Sequence, residues 1–316
     1  MAHNWSEEIP KTLIESFRKP DKPVVFLGSG LGREAVPPLK TAAALGAAAC
    51  AHLGIVPDSE SLADQLQYLK NDARSARFVV DWLRTELHDG TAKPGGAHYL
   101  LLQLPIGEYL TTNYDSLLND AALSIRDFRL VDIYDAGSYK LPTGHTIRTA
   151  VLGRLHGSFS DARSIVATTE DYIDNFAHGT RWRELLTAIL RERTVIFVGY
   201  SLRDFTTWTS FIATRLQWAR EMPPHFLVAP GLPHVTQYWS TFGITHIPLT
   251  AHAFLIGLHE RLGTFPTNSD TAAAAAAACK GVSIDAIPEI LERVRREERY
   301  ADVTLAASKI VREAQR

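Results

Sequence analysis

Four short polar motifs directly follow apolar, β-rich runs of the sequence, and their residue types could bind a phosphorylated ligand or move a proton. The first, Gly28-Ser29-Gly30, follows the run Val24–Leu27. Because glycines tolerate positive φ and let a phosphate approach backbone N–H groups closely, this turn is a candidate phosphate-binding loop. A complete dinucleotide fingerprint would have a further glycine where Arg33 stands, so a tight strand-to-helix turn is the alternative.

The second motif, Thr112-Asn113-Tyr114-Asp115, follows the run Tyr109–Thr111. The amide of Asn113 can donate and accept hydrogen bonds, which suits it to hold a sugar hydroxyl or a water molecule. An aspartate at the end of a strand also caps the next helix, so Asp115 has a purely structural alternative.

The third motif, His156-Gly157, ends an apolar run that begins at Val151. The sequence contains 12 histidines, most of which need no functional explanation. His156 differs because a glycine follows it and lets the chain turn at once. The imidazole, whose ordinary pKa is near 6.5, is then predicted to face the crevice at the carboxyl ends of the strands.

The fourth motif, Gly199-Tyr200-Ser201, follows the run Val195–Val198. It is similar to the nucleophile elbow of serine hydrolases, whose motif is G-x-S-x-G. Arg203 stands where that motif requires its second glycine, so a serine-hydrolase active site is excluded. A turn that offers backbone N–H groups and the Ser201 hydroxyl to a phosphate or a ribose is the functional interpretation. A helix cap formed by Ser201 or Asp204 is the alternative.

The elements that must position these motifs alternate between short β-rich runs and helix-period segments. This alternation predicts an α/β fold, a Rossmann-like parallel sheet with helices on both faces. A helical insert is predicted at about 39–104, after the first strand. Residues 1–263 are expected to form one catalytic domain, and 264–316 a linker and a helical tail. The six clearest strands are Val24–Leu27, Tyr109–Thr111, Val151–Leu155, Val195–Val198, Phe226–Val228 and Ile244–Leu249.

Composition narrows the classes of partner and site. The chain has 316 residues, with 33 basic and 35 acidic side chains, so there is no charge bias towards direct nucleic-acid binding. No apolar stretch reaches the roughly 18 residues of a membrane span, and the first ten residues contain no apolar leader, which predicts a cytoplasmic location. The two cysteines, Cys50 and Cys279, cannot form a four-thiolate zinc site. We therefore expect no metal.

Taken in order, the four motifs resemble those of the SIR2-like family of NAD-consuming domains. The resemblance is closest to the prokaryotic SIR2-like branch found in anti-phage defence proteins, and it also includes Thr169-Glu170-Asp171-Tyr172. It extends from about residue 22 to about residue 260. The resemblance implies that Asn113 and His156 are catalytic. It implies that the residues binding NAD+ are Gly28, Ser29, Gly30, Thr112, Asp115, Gly199 and Ser201.

The resemblance also implies a reaction. Protein deacylases of this family carry a zinc ion on four cysteines, which this chain cannot supply. The expected activity is therefore hydrolysis of NAD+ to nicotinamide and ADP-ribose, which would deplete NAD+ in abortive infection. Gating by a homo-oligomer or by a separate sensor protein is expected, because unregulated activity would exhaust the cell. The alternatives are a non-catalytic module that senses NAD or ADP-ribose and, less favoured, a protein deacylase.

Overall fold

The computed structural model describes residues 5–56, 61–125, 127–140, 147–176, 181–200, 202, 214–215, 222–231 and 233–264. The predicted helical tail lies outside these ranges, as do Ser201, Arg203 and Asp204.

The core of the chain is a sheet of seven strands in the order β3-β4-β2-β1-β5-β6-β7. Every neighbouring pair is parallel. This confirms the predicted Rossmann-like parallel sheet. One strand, β3, was absent from the six predicted strands. The strands are β1 Val24–Leu27, β2 Glu108–Thr111, β3 Phe128–Ile133, β4 Arg148–Arg154, β5 Val195–Val198, β6 His225–Val228 and β7 Ile244–Ile247.

Helices cover both faces of the sheet, as predicted. In β1, Val25 and Leu27 pack into one apolar cluster, whereas Val24 and Phe26 pack into another. This alternation follows from the period of two along a strand, and all four side chains are buried because both faces are covered. The first face carries α1 Lys11–Ser16, α5 Gly96–Gln103, α6 Leu117–Leu123 and α10 Ala251–Leu262. The second carries α7 Thr169–Phe176, α8 Arg181–Glu192 and α9 Pro233–Thr241.

A helical insert separates β1 from β2. It contains α2 Ala42–Leu53, α3 Leu62–Ala73 and α4 Ala76–Glu86, which share a third apolar cluster that includes Leu45, Leu66, Leu69, Val79 and Leu83. The next helix, α5, lies within the predicted insert of about 39–104 and packs on the main sheet. The start of α3 is fixed by a capping box, in which the Ser61 hydroxyl accepts from Asp64 N and the Asp64 carboxylate accepts from Ser61 N.

None of the described helices is long and apolar enough to cross a membrane.

Candidate functional site

The first and fourth motifs meet at the point where the order of the strands reverses. From β1 the chain continues to β2 on one side, and it later returns to β5 on the other side of β1. Ligands of open parallel sheets bind outside the carboxyl ends of the strands at such a switch point. The turn after β1 contains Gly28 and Gly30, and the turn after β5 contains Gly199.

The two glycine turns are in backbone contact. Gly30 N donates to Gly199 O at 2.7 Å, and Gly28 N donates to Val198 O at 3.1 Å. A Cβ atom on Gly28 would lie 2.6 Å from Tyr200 Cα, and one on Gly30 would lie 2.6 Å from Gly199 O. The close approach of the two turns is by itself enough to require glycine at these positions. The N–H groups of Gly28 and Gly30 already donate to Val198 O and Gly199 O within the protein. Their contact with a phosphate remains a prediction.

Asn113 joins the second motif to the first. Its side-chain Nδ2 donates to Gly28 O at 3.1 Å, and its backbone N–H donates to Thr111 Oγ1 at 3.0 Å. Thr111 in turn donates to Leu27 O at 3.3 Å. The structure thus places the predicted catalytic asparagine on the predicted phosphate-binding turn, where Ser29, Gly30, Thr112 and Asn113 are all partly exposed.

Asp115 performs the structural role that was its alternative. Its Oδ1 accepts from Leu117 N at 3.1 Å, which holds the start of α6. Burial raises the pKa of the Asp115 carboxyl, and the nearby Arg154 guanidinium offsets part of that increase. Contact between Asp115 and a ligand stays a prediction. Ser201 lies outside the described residues.

His156 follows β4, the strand next to β2, and its ring lies in an aromatic environment. The side chain of this residue is buried, and Nδ1 lies 3.3 Å from the hydroxyl of Tyr172. The rings of Tyr172 and Phe176 meet the imidazole edge to face, with centroid distances of 4.9 and 5.7 Å. Only 4% of the residue is exposed, and the orientation of the imidazole towards the ligand crevice stays a prediction. The His156 side chain is therefore shielded from bulk water.

Gly157 makes the turn after His156 possible. Its φ is +76°, and a Cβ atom there would lie 2.1 Å from Ser164 O. We expect Gly157→Ala to lower the free energy of unfolding by about 2 kcal/mol or more, because it adds a steric clash to a left-handed conformation. Gly54→Ala is the matched control, since Gly54 has a φ of +68° with no atom near its Cβ position. Equal losses in urea unfolding would show that the clash with Ser164 is irrelevant.

Sequence reasoning missed Arg154, which the fold makes central to the site. Its side chain is 1% exposed and forms an ion pair with Asp132, Nε to Oδ1, at 2.9 Å. One terminal nitrogen donates to Asn113 O at 3.3 Å and to Asp115 O at 3.0 Å. The other donates to Asn119 Oδ1 at 2.5 Å. Arg154 thus fixes the backbone on both sides of Tyr114, and with it the position of Asn113.

Comparison with known proteins shows which family part of this chain is similar to. A model of the SIR2-like domain family matches residues 107–247, a region that runs from β2 to β7 and includes Asn113 and His156. The match covers less than half of the 316 residues, and over that region the chain is similar to the SIR2-like domain family. No group of three or more metal-ligating side chains occurs among the described residues of this chain.

Curated proteins similar to part of this chain are named as NAD(+) hydrolases. The chain is 28% identical over 140 residues to the NAD(+) hydrolase ThsA of Enterococcus faecium, a match covering 44% of this chain and 28% of the relative. It is 24% identical over 171 residues to that of Bacillus cereus (strain MSX-D12), covering 54% and 35%. The matches thus span about a third of those proteins. A solved structure of Sir2 enzymes is similar at 15% identity with a TM-score of 0.46, covering 81% of this chain and 98% of that chain.

Proposed function

We propose that this SIR2-like domain binds NAD+ at the switch point and hydrolyses the bond between nicotinamide and ribose. The observation that carries the proposal is the hydrogen bond from Asn113 to Gly28, which joins the predicted catalytic amide to the predicted phosphate-binding turn. His156 follows the neighbouring strand at the same edge of the sheet. The named activity of the curated relatives supports the same reaction.

The reaction needs positioning more than a strong acid. Nicotinamide leaves with the electrons of the glycosidic bond, which neutralises its pyridinium charge while positive charge develops on the ribose. A water oxygen then forms the new bond to the ribose carbon, and one proton of that water must be removed. Asn113 would hold a ribose hydroxyl or the water, and His156 would accept the proton. Preorganised groups screened from bulk water are effective at this task.

Product analysis separates hydrolysis from deacylation. The purified protein, incubated with NAD+, is expected to release nicotinamide and ADP-ribose in equal amounts, and an acetylated peptide should not accelerate the release. The peptide should have no effect because the deacylases of this family carry a four-thiolate zinc site, which cannot form from two cysteines. A product that appears only with the peptide would favour the deacylase instead.

We further propose that the activity depletes the cytoplasmic NAD+ pool during abortive infection and is gated by assembly or by a sensor protein. If a homo-oligomer is the active form, specific activity should rise with protein concentration across the range in which light scattering detects assembly. Full activity of an isolated monomer would contradict the proposed gating and indicate constitutive hydrolysis.

A non-catalytic module that senses NAD or ADP-ribose is the second candidate. Such a module needs the glycine turns but has no use for a histidine positioned at the edge of the sheet. The contact between His156 and Tyr172 therefore favours the enzyme.

A further inference from the structure

The helical insert contacts α7 through a set of polar side chains on one face of α3. Thr169 Oγ1 donates to Asp64 Oδ1 at 2.6 Å, and Glu170 N donates to Gln67 Oε1 at 3.2 Å. Lys70 Nζ lies 2.7 Å from Glu170 Oε2. Asp64, Gln67 and Lys70 are three residues apart, so they share a face of the helix. All three contacts reach the first turn of α7.

These contacts differ in strength. The Glu170 side chain is 64% exposed, so its ion pair with Lys70 contributes little. The bond from Thr169 to Asp64 is short and has an ionised acceptor, which makes it the strongest of the three. The hydroxyls of Thr169 and Ser61 lower the pKa of Asp64, so the carboxylate that caps α3 stays charged and holds α7 as well. The Asp64 side chain thereby joins two helix starts.

The start of α7 is in turn fixed rigidly to the residues that precede it. Asp171 Oδ2 accepts from Ala167 N at 3.1 Å and from Thr168 N at 2.9 Å. One residue further on, Tyr172 places its hydroxyl 3.3 Å from His156 Nδ1, and a turn later Phe176 packs against the same imidazole. A shift of the first turn of α7 would therefore move the rings of Tyr172 and Phe176 relative to the His156 imidazole.

We propose that the helical insert positions His156: the α3 face of Asp64, Gln67 and Lys70 holds the first turn of α7, and α7 holds the Tyr172 hydroxyl on the imidazole. Tyr172 is a positioning residue in this arrangement, because it acts through His156. Any event that displaces the insert, such as assembly or partner binding, would then change the surroundings of the His156 imidazole, because α7 connects the insert to Tyr172. The kinetic part of this inference rests on the proposed NAD+ hydrolysis, whereas its structural part does not.

Two variants test the connection. Tyr172→Phe removes the hydroxyl and keeps the ring, and Thr169→Val removes the donor to Asp64 and keeps the shape. Thr85→Val is the matched control, because the Thr85 hydroxyl donates to Asp81 O within α4 of the same insert. We expect kcat for NAD+ to fall roughly tenfold in Tyr172→Phe and about threefold in Thr169→Val, the range for one hydrogen bond, with KM nearly unchanged. Thr85→Val should match the wild type.

Imidazole nitrogen NMR of the full chain provides a readout that needs no turnover. The His156 signals, assigned by their loss in His156→Ala, should shift in Tyr172→Phe and in Thr169→Val but not in Thr85→Val. If NAD+ is not consumed while these shifts occur, the proposed function fails and the positioning stands. Unchanged His156 signals in Thr169→Val would overturn the positioning. So would effects of Thr169→Val and Tyr172→Phe that simply add in the double variant, since contacts acting in series are non-additive.

Discussion

Replacing His156 with alanine is expected to lower NAD+ turnover by roughly 10²-fold or more, the scale for losing a positioned acid–base group. In the proposed reaction the proton of the attacking water would then have no acceptor near the ribose. Asn113→Ala should cause a loss of similar size, because the amide on Gly28 would no longer hold the ribose or the water. Steady-state release of nicotinamide measures both effects.

The burial of His156 dictates the controls for this prediction. Only 4% of the residue is exposed, so His156→Ala leaves a cavity among aromatic rings and lowers stability as well as activity. His156→Gln fills more of that volume and keeps hydrogen-bonding atoms, yet it should be as inactive as the alanine variant. Thermal unfolding must show that each variant is folded at the assay temperature. Turnover like that of the wild type in both His156 variants would remove this residue from the mechanism.

Replacing Arg154 with methionine is expected to cause the largest loss of stability of any single change in the site, about 3–5 kcal/mol. The variant leaves the Asp132 carboxylate, only 19% exposed, without its cation, and Asn119 Oδ1 without its donor. Urea unfolding measures the loss. Arg191→Met is the matched control, because the ion pair between Arg191 and Glu192 is exposed and should contribute less than about 1 kcal/mol.

Two further variants separate charge from geometry in this network. Asp132→Asn combined with Arg154→Met should recover part of the lost stability, since the carboxylate that forms the ion pair with Arg154 is removed together with its cation. Arg154→Lys keeps the charge but cannot reproduce the fork of donors to Asn113 O, Asp115 O and Asn119. It should therefore be more stable than Arg154→Met and still hydrolyse NAD+ slowly. An Arg154→Met variant as stable as the wild type would contradict the buried network.

The sequence predicted the parts of the fold that have a strong local signal. The apolar runs located six strands, and the glycines located the turns that meet at the switch point. Strand β3 was missed because Arg129 and Asp132 interrupt its apolar residues, and the strand lies at the edge of the sheet, where most of its side chains are only partly buried. That omission also concealed Asp132, whose partner Arg154 stands 22 residues further along the chain.

The contacts around His156 were beyond sequence reasoning for a different reason. Tyr172 belongs to a motif that was recognised, but its distance from His156 depends on how α7 packs beside the turn that follows β4. The contacts between Asp64 and Thr169 join residues 105 positions apart. Local patterns predict which residues end a strand, whereas the partners of those residues are set by tertiary packing. Asn113 and Gly28 are the exception, because paired parallel strands bring their ends together.

The proposed cleavage of NAD+ by this chain is tested most directly by quantifying nicotinamide and ADP-ribose after incubation of the purified chain with NAD+. The measurement should span protein concentrations below and above the onset of assembly, with binding of NAD+ measured in the same samples. Equal amounts of the two products are expected from the wild type, and roughly 10²-fold less or lower from Asn113→Ala and His156→Ala. Saturated binding of NAD+ with the dinucleotide recovered intact at every concentration would contradict the proposed cleavage and identify a sensing module instead.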